Sequence, residues 1–244
     1  MEDKAGGTRR RSRLARFSLG TLLLLLTVAA VWMAYVSNRA HNLRSVRDQL
    51  LASGASLGYD YEYDGLSPSD NPEPAGPPWL RSLLGEEYFV EIVNVSFQSN
   101  ESATSADLEP IRQLKSVRRI DIDYTSIDDI SAIADQSQLL WLDLEESGID
   151  SADLVHLEKL DNLTRLVLTR NSIDDTNLEL VADMTGLVDL RLNETEVTDA
   201  CLTHFEGLVN LRELDLELTN VTAEGVGQLQ QKLPNCEINW DGAE

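Results

Sequence analysis

Residues 187–202 read LVDLRLNETEVTDACL, with apolar side chains at the first, fourth and sixth positions, Leu187, Leu190 and Leu192. The same L-x-x-L-x-L spacing starts again at Val117, Leu139, Leu163 and Leu211. Successive starts lie 22, 24, 24 and 24 residues apart. Self-similarity at a nearly fixed period of this length predicts a repeat architecture.

Each unit continues in the same way after its apolar triplet. A Thr, Ser or Asn comes eight residues after the start, and a β-branched residue follows two positions later. A polar pair such as Asp174-Asp175 or Thr198-Asp199 precedes apolar residues at helical spacing. Each unit is therefore predicted to be a strand, a turn, a helix and a second turn, and the polar pairs are interpreted as helix caps.

These units resemble the leucine-rich-repeat family, in the variant that reads L-x-x-L-x-L-x-x-T-x-V-T-D-x-x-L. The resemblance covers residues 117 to about 240, with Val90, Val93 and Val95 as a degenerate opening unit and residues 236–240 as a truncated last strand. It implies an α/β solenoid with a concave parallel sheet and convex helices. It also implies binding, without indicating a particular ligand.

The charge of the chain is divided unevenly. Residues 1–47 hold nine Lys and Arg against two acids, whereas the remainder holds 11 bases against 40 acids. Nucleic-acid binding depends on Lys and Arg, so the acidic part argues against a nucleic-acid partner and favours a cationic one. A self-repelling, soluble surface explains the same acidity without a ligand. The two cysteines, Cys201 and Cys236, are too few for a disulfide framework and are interpreted as buried apolar residues.

An uncharged stretch of 20 residues, Phe17–Val36, follows a basic segment. At a rise of about 1.5 Å per residue it matches the roughly 30 Å hydrocarbon core of a bilayer. Residues 17–37 are therefore predicted to be a transmembrane helix that acts as a signal-anchor. The alternative, a cleaved signal peptide, fits less well because the apolar run is long and no small-x-small site ends it. The excess of bases before the span predicts a single-pass protein of the cell membrane, with the N-terminus cytoplasmic and the repeats outside.

Changes in composition set the other domain boundaries. Residues 1–16 are predicted to be a basic cytoplasmic tail, and residues 38–65 a juxtamembrane helix that ends at Gly54 and is followed by a short strand. In that strand three tyrosines, from Tyr59 to Tyr63, alternate with acids. The basic tail, apolar span, tyrosine-rich segment and acidic repeats resemble small bacterial single-pass membrane-anchored leucine-rich-repeat proteins.

Residues 66–78 contain five prolines and are predicted to be a linker. The leucine-rich-repeat domain is assigned to residues 79–244. Its N-terminal cap is predicted from an apolar set at helical spacing that follows the prolines: Trp79, Leu80, Leu83, Leu84 and Phe89.

Candidate binding residues lie at the strand positions between the apolar ones, because alternation points them onto the concave face. The candidate set is Arg119, Asp121, Asp123, Trp141, Asp143, Glu145 and Arg165. Trp141 is predicted to be exposed between two stacking arginines, a composition typical of interface hot spots. The alternative is that Trp141 only packs beneath them. The four carboxylates converge beside it, but no loop supplies an ordered set of Ca²⁺ ligands, so a solvated acidic face is the simpler interpretation.

No catalytic residue, resident metal or cofactor is predicted. The histidines are His41, His156 and His204, of which the last two occupy equivalent positions two repeats apart, too far to share a metal or a proton. The sequence has no nucleophile motif or phosphate loop. An enzyme is therefore not expected. The first hypothesis is a membrane-anchored module that binds a protein through the concave face. The alternative is a structural envelope protein that self-associates weakly, with an acidic, Ca²⁺-responsive surface.

Overall fold

The computed structural model describes residues 19–64, 66–70 and 72–242. The predicted basic tail, residues 1–16, and the first two residues of the predicted span, Phe17 and Ser18, lie outside the described residues. The chain divides into two compact units, Met1–Arg39 and Ala40–Glu244.

Helix α1 runs over Leu19–Ala52. By length and composition it could cross a membrane, and because it lies near the N-terminus it also meets the criteria for a signal sequence. The helix continues past the apolar stretch as predicted. It ends at Ala52, and the turn that follows includes Gly54, whose φ of 82° lies in the left-handed region that glycine adopts without a steric penalty.

Ten strands occur in the described part of the chain. They are β1 (Ser56–Tyr59), β2 (Tyr63–Asp64), β3 (Ser67–Pro68), β4 (Ile92–Ser96), β5 (Arg119–Asp121), β6 (Trp141–Asp143), β7 (Arg165–Val167), β8 (Asp189–Arg191), β9 (Glu213–Asp215) and β10 (Glu237–Asn239). Eight form one sheet in the order β1-β4-β5-β6-β7-β8-β9-β10, while β2 and β3 pair separately. From β4 to β10 all neighbours are parallel. The predicted leucine-rich-repeat sheet is thus confirmed.

The register of the sheet follows the apolar triplets. Leu142 lies opposite Ile120 on one side and Leu166 on the other, and the same positions continue through the next two strands. The triplet side chains are buried in one continuous core. The outward positions between them form columns that run across the strands.

The opening unit is the triplet Ile92, Val95 and Phe97, and the predicted set of Val90, Val93 and Val95 is wrong by two residues. Val95 pairs with Ile120, the middle residue of its own triplet, which fixes the assignment. The two overlapping sets have the same spacing in the sequence, and only the strand pairing separates them.

The residue eight positions after each triplet start from Val117 to Leu211 belongs to a polar ladder, which is buried in the first four of these units and half-buried in the fifth. Its hydroxyl or amide donates to the carbonyl of the last triplet residue of its own unit. We name it the Thr/Ser/Asn ladder, and its members are Thr125, Ser147, Asn171, Thr195 and Thr219. Asn171 also bonds to the preceding unit, donating to Leu144 O and accepting from the amides of Ser147 and Gly148.

The other α-helices are α2 (Pro78–Leu84), α3 (Ser105–Leu108), α4 (Asp199–Phe205) and α5 (Ala223–Lys232). Between α3 and α4 the convex segments are 3₁₀ helices, at Glu109–Gln113, Ser131–Ile133, Asp153–Leu157 and Leu178–Asp183. A 3₁₀ helix rises about 2.0 Å per residue and so covers the width of a unit with fewer residues than an α-helix.

Capping by the polar pairs, as interpreted from the sequence, is confirmed at Thr198 and at Asp129, which accepts the amide of Ser131. It is wrong for Asp174-Asp175, because the helix Leu178–Asp183 begins after Asn177 and has no side-chain cap. Thr198 accepts the amide of Ala200, and Asp174 accepts that of Thr176. Asp175 instead accepts the amide and hydroxyl of Thr198 in the next unit, at 2.8 and 2.6 Å.

The N-terminal cap is formed by residues other than those predicted. Trp79 and Leu83 of α2 are 68% and 72% exposed, so this helix does not cover the core. The core is closed by Val46 and Leu50 of α1, together with β1, which pairs antiparallel with β4. Helical spacing identified an apolar face on α2 but carried no information about what covers it.

The tyrosine-rich segment forms a shorter strand than predicted. Strand β1 ends at Tyr59, and Asp60–Glu62 turn as a 3₁₀ helix in which the Glu62 carboxylate accepts the amide of Tyr59. The Tyr63 ring then covers Gly58, where an added Cβ would lie 2.6 Å from it. The predicted Pro-rich linker contributes β3, which pairs with β2.

Candidate functional site: the concave face

The centre of the concave face is a stack of three side chains. The guanidinium of Arg119 lies 3.8 Å from the Trp141 ring centroid and that of Arg165 lies 4.3 Å from it. The stack follows from the register, which places Arg119, Trp141 and Arg165 side by side on β5, β6 and β7. We refer to it as the Arg-Trp-Arg stack.

Aspartates hold both arginines of the stack. Arg119 Nε donates to Asp121 at 2.8 Å, and Arg165 Nη1 lies 2.7 Å from Asp189. Asp189 also accepts from Arg191 at 3.2 Å. The positive charges of the stack are thus neutralised within the face, and the indole is held in one position.

The candidate residues lie together, but they are less exposed than predicted. Trp141 is half-buried, and Asp121 and Asp123 are each only 7% exposed, so the predictions of an exposed tryptophan and a fully solvated acidic face are wrong. Strands in a sheet lie about 4.8 Å apart, so long outward side chains cover the shorter ones beside them.

Three buried polar atoms on this face have no hydrogen-bond partner among the described residues: Trp141 Nε1, Arg165 Nε and Asn94 Oδ1. A buried donor without an acceptor is costly, about 1–3 kcal/mol. Two of the three atoms belong to side chains that lie next to each other, because Trp141 and Arg165 are paired on β6 and β7.

Asp143 lies beside the stack in a cluster of acids. Burial, reinforced by Asp123, Asp121 and Glu145, raises the pKa of Asp143 to about 6. Burial also raises the pKa of Asp123. Among the described residues, no group of three or more His, Cys, Asp or Glu side chains is arranged to hold a metal ion.

A charged network at the rim of the face could not be identified from the sequence. Tyr124 donates to Glu145 at 2.6 Å, and Arg170 donates to Tyr124 Oη at 3.1 Å and to Glu194 at 2.9 Å. The position seven residues after each triplet start has left-handed backbone in every unit, at Ser99, Tyr124, Glu146, Arg170, Glu194 and Leu218. Because this position is never glycine and its residue type varies from unit to unit, the sequence does not reveal its left-handed backbone.

The two cysteines are buried, as interpreted. Burial raises the pKa of Cys201, and raises that of Cys236 to about 11. Both thiols are therefore protonated near neutral pH and unsuited to nucleophilic chemistry.

No protein-family model and no curated protein matches the chain. Solved structures do match it. An internalin C2 from Listeria monocytogenes is 22% identical with a TM-score of 0.51, covering 60% of this chain and 70% of its own. An internalin (inlF) from the same organism is 24% identical with a TM-score of 0.48, over 56% of this chain and 38% of its own.

A further similar structure is the leucine-rich-repeat ectodomain of the plant receptor kinase GASSHO1/SCHENGEN3 from Arabidopsis thaliana. It is 16% identical with a TM-score of 0.43, over 54% of this chain and 16% of its own. The repeat spacing, the parallel register and the likeness to internalin C2 together show that this chain folds as a leucine-rich-repeat solenoid.

Proposed function

We propose that this chain is a membrane-anchored interaction module that binds a protein partner through its concave face. The observation that carries the proposal is the Arg-Trp-Arg stack. An aromatic ring held between two charge-paired arginines is a preorganised anchor, and tryptophan and arginine are the residues most enriched in binding hot spots. Trp141 Nε1 and Arg165 Nε are buried donors without a partner among the described residues, and a partner's carbonyl or carboxylate oxygen would satisfy them once the side chains that cover them move aside.

The surrounding charge indicates the chemistry of the partner. Towards the C-terminal strands the outward positions are mainly acidic, with Glu213, Asp215 and Glu237 against Arg191. Arg191 is engaged by Asp189 and lies 3.6 Å from Glu213. Complementarity therefore favours a partner segment that carries Lys or Arg, and disfavours a nucleic acid.

Anchoring is assigned to α1, with the N-terminus in the cytoplasm and the repeats outside the cell membrane. A reporter that is active only outside the cytoplasm, fused after Glu244, should be active in intact cells. Activity of a cytoplasm-specific reporter at the same position would reverse the orientation, and release of a shortened chain into the medium would identify a cleaved signal peptide.

Partner capture tests the binding face. A photoreactive residue placed at Tyr124 on the rim or at Glu213 on the face should capture one recurrent protein in intact cells, whereas the exposed convex position Val155 should not. Trp141→Ala should abolish capture, and Trp141→Phe, which keeps an aromatic ring in the stack, should retain much of it.

Thermal unfolding of both Trp141 variants shows whether lost capture reflects lost folding. Equal capture by Trp141→Ala and the parent chain would exclude the stack as the anchor. Capture of the chain's own copies from Glu213, unaffected by Trp141→Ala, would favour the alternative of a self-associating envelope protein.

A further inference from the structure

Helix α2 presents an apolar face that the described part of the chain does not cover. Trp79 is 68% exposed, Leu83 is 72% exposed and Leu84 is 45% exposed. At about 100° per residue, these three and Leu80 occupy an arc of roughly 140°, with Arg81 and Ser82 on the opposite side. The face is thus a compact amphipathic surface, unlike single scattered apolar residues.

The helix is held in place at both ends. Before it, Gly76 has a φ of 82° and lies against the Phe89 ring, where an added Cβ would be 3.0 Å away. After it, Gly85 has a φ of 101° and lies beside Arg44 of α1 and the Glu87 carboxylate. Arg81 also donates to the carbonyl of Pro74. The exposed apolar face therefore belongs to a fixed element of the unit Ala40–Glu244.

The charges around α2 differ from those of the rest of this acidic unit. Residues 75–85 contain one charged side chain, Arg81, and no acid. The nearby Glu87 is engaged by Arg44 at 3.2 Å and Arg47 at 2.7 Å, and these contacts lower the pKa of Glu87 to about 2. The exposed acids Glu73 and Glu86 flank this stretch, and together with Glu87 they are balanced by Arg44, Arg47 and Arg81. The neighbourhood of α2 is thus close to neutral and does not strongly repel an anionic surface.

The short connection between the predicted span and the region beside α2 limits how far α2 can lie from a membrane. Arg44, which contacts the region after α2, comes eight residues after Val36, the last residue of the predicted span. Eight helical residues cover about 12 Å, and the headgroup region on each side of a bilayer is roughly 5–8 Å thick. Chain connectivity would therefore keep the backbone of Arg44 within about 12 Å of the hydrocarbon core of a bilayer that α1 crosses, so the effective concentration of lipid near this region would be high.

We propose that α2 lies in the lipid–water interface of the membrane that α1 crosses, with Trp79, Leu83 and Leu84 inserted among the headgroups. Tryptophan favours this depth, and a short amphipathic helix with one base on its polar face is suited to it. The inference rests on the membrane anchoring proposed above. The solenoid would then be held at the bilayer by two points instead of one.

The test uses the full chain in vesicles of phosphatidylcholine and phosphatidylglycerol. An environment-sensitive fluorophore is attached at Leu83→Cys, and matched probes are attached at Ser82→Cys on the polar face and Val209→Cys in a distant unit, where the side chain is 67% exposed. The parent chain, whose two cysteines are buried, is the labelling control. Quenching is measured with headgroup-labelled lipids and with aqueous iodide, and anchoring is measured by flotation with the vesicles.

The Leu83 probe should lose most of its emission to the lipid quencher and be protected from iodide, while the Ser82 and Val209 probes show the reverse. If the chain floats and the Leu83 probe behaves like the Val209 probe, the inference is wrong and the anchor stands. Protection from both quenchers would show that protein, in this purified system a second copy, covers the face. A chain that fails to float would overturn the anchor and the inference together.

Discussion

Asp143 is a carboxylate whose surroundings oppose its charge. It lies among Asp121, Asp123 and Glu145 on a half-buried part of the concave face, and its pKa is raised to about 6. Because the pKa of an ordinary aspartate is near 3.8, the folded state binds a proton at this site more readily than the unfolded state. Protonation of Asp143 therefore stabilises the folded state as pH falls below about 6, and this contribution to the free energy of unfolding is lost as pH rises through that value.

Asp143→Asn removes the charge at every pH and keeps an oxygen that can accept the Glu145 amide. We expect the variant to melt above the parent near pH 7.5, with the difference shrinking as pH falls to about 5. Asp215→Asn, in the same column of the sheet, is the control variant, because it also removes one negative charge. A melting difference that is independent of pH, measured by circular dichroism, would contradict this account.

Also at the scale of the residue, the sequence was sufficient to predict which side chains flank Trp141 but not how exposed Trp141 is. Alternation within L-x-x-L-x-L gives each outward residue its neighbours, so the stacking of Arg119 and Arg165 on Trp141 could be predicted. Its half-burial could not, because exposure depends on the rotamers of long side chains in adjacent strands. The salt bridges from Arg119 to Asp121 and from Arg165 to Asp189 set those rotamers.

At the scale of the element, the Thr/Ser/Asn ladder holds each turn to the strand before it. Asn171 differs from the other members because its amide also bonds to the preceding unit at Leu144 O, over 2.6 Å, and accepts two backbone amides. One side chain therefore satisfies buried groups of two units.

Replacing Asn171 separates these two roles. Asn171→Thr should keep the bond to Leu168 O, because Thr195 makes the equivalent bond to Leu192 O one unit later. It should lose the bonds to the preceding unit. Asn171→Leu should lose both, at about 1–3 kcal/mol for each buried group left without a partner. Urea unfolding should rank the parent above the Thr variant and the Thr variant above the Leu variant. Equal stability of the two variants would show that the intra-unit bond contributes nothing.

At the scale of the molecule, the end of the solenoid is closed by a helix that the sequence suggested only as a juxtamembrane continuation of the span. Both helices carry aliphatic residues at helical spacing, namely Leu43, Val46 and Leu50 in α1 and Leu80, Leu83 and Leu84 in α2. Spacing predicts that a helix has an apolar face, but the partner of that face is decided by tertiary packing. For this reason the repeats were predictable and the cap was not.

A pair of identical substitutions tests which helix is the cap. Leu50→Ala empties a fully buried position and should lower the free energy of unfolding by about 2–5 kcal/mol. Leu83→Ala alters an exposed position and should change it by no more than about 0.5 kcal/mol when measured in detergent. The opposite ranking in denaturant unfolding would restore α2 as the cap.

The antiparallel pairing of β1 with β4 also limits where repeat units can be added by gene duplication. Strands β5 to β9 each present the same parallel edge to the next, so duplication of one complete unit between Leu163 and Leu211 would be accommodated with both flanks unchanged. A duplication ahead of Ile92 would place a new strand where β1 must pair. Evolution can therefore adjust the reach of the concave face in whole units inserted within the parallel array, but not ahead of β4.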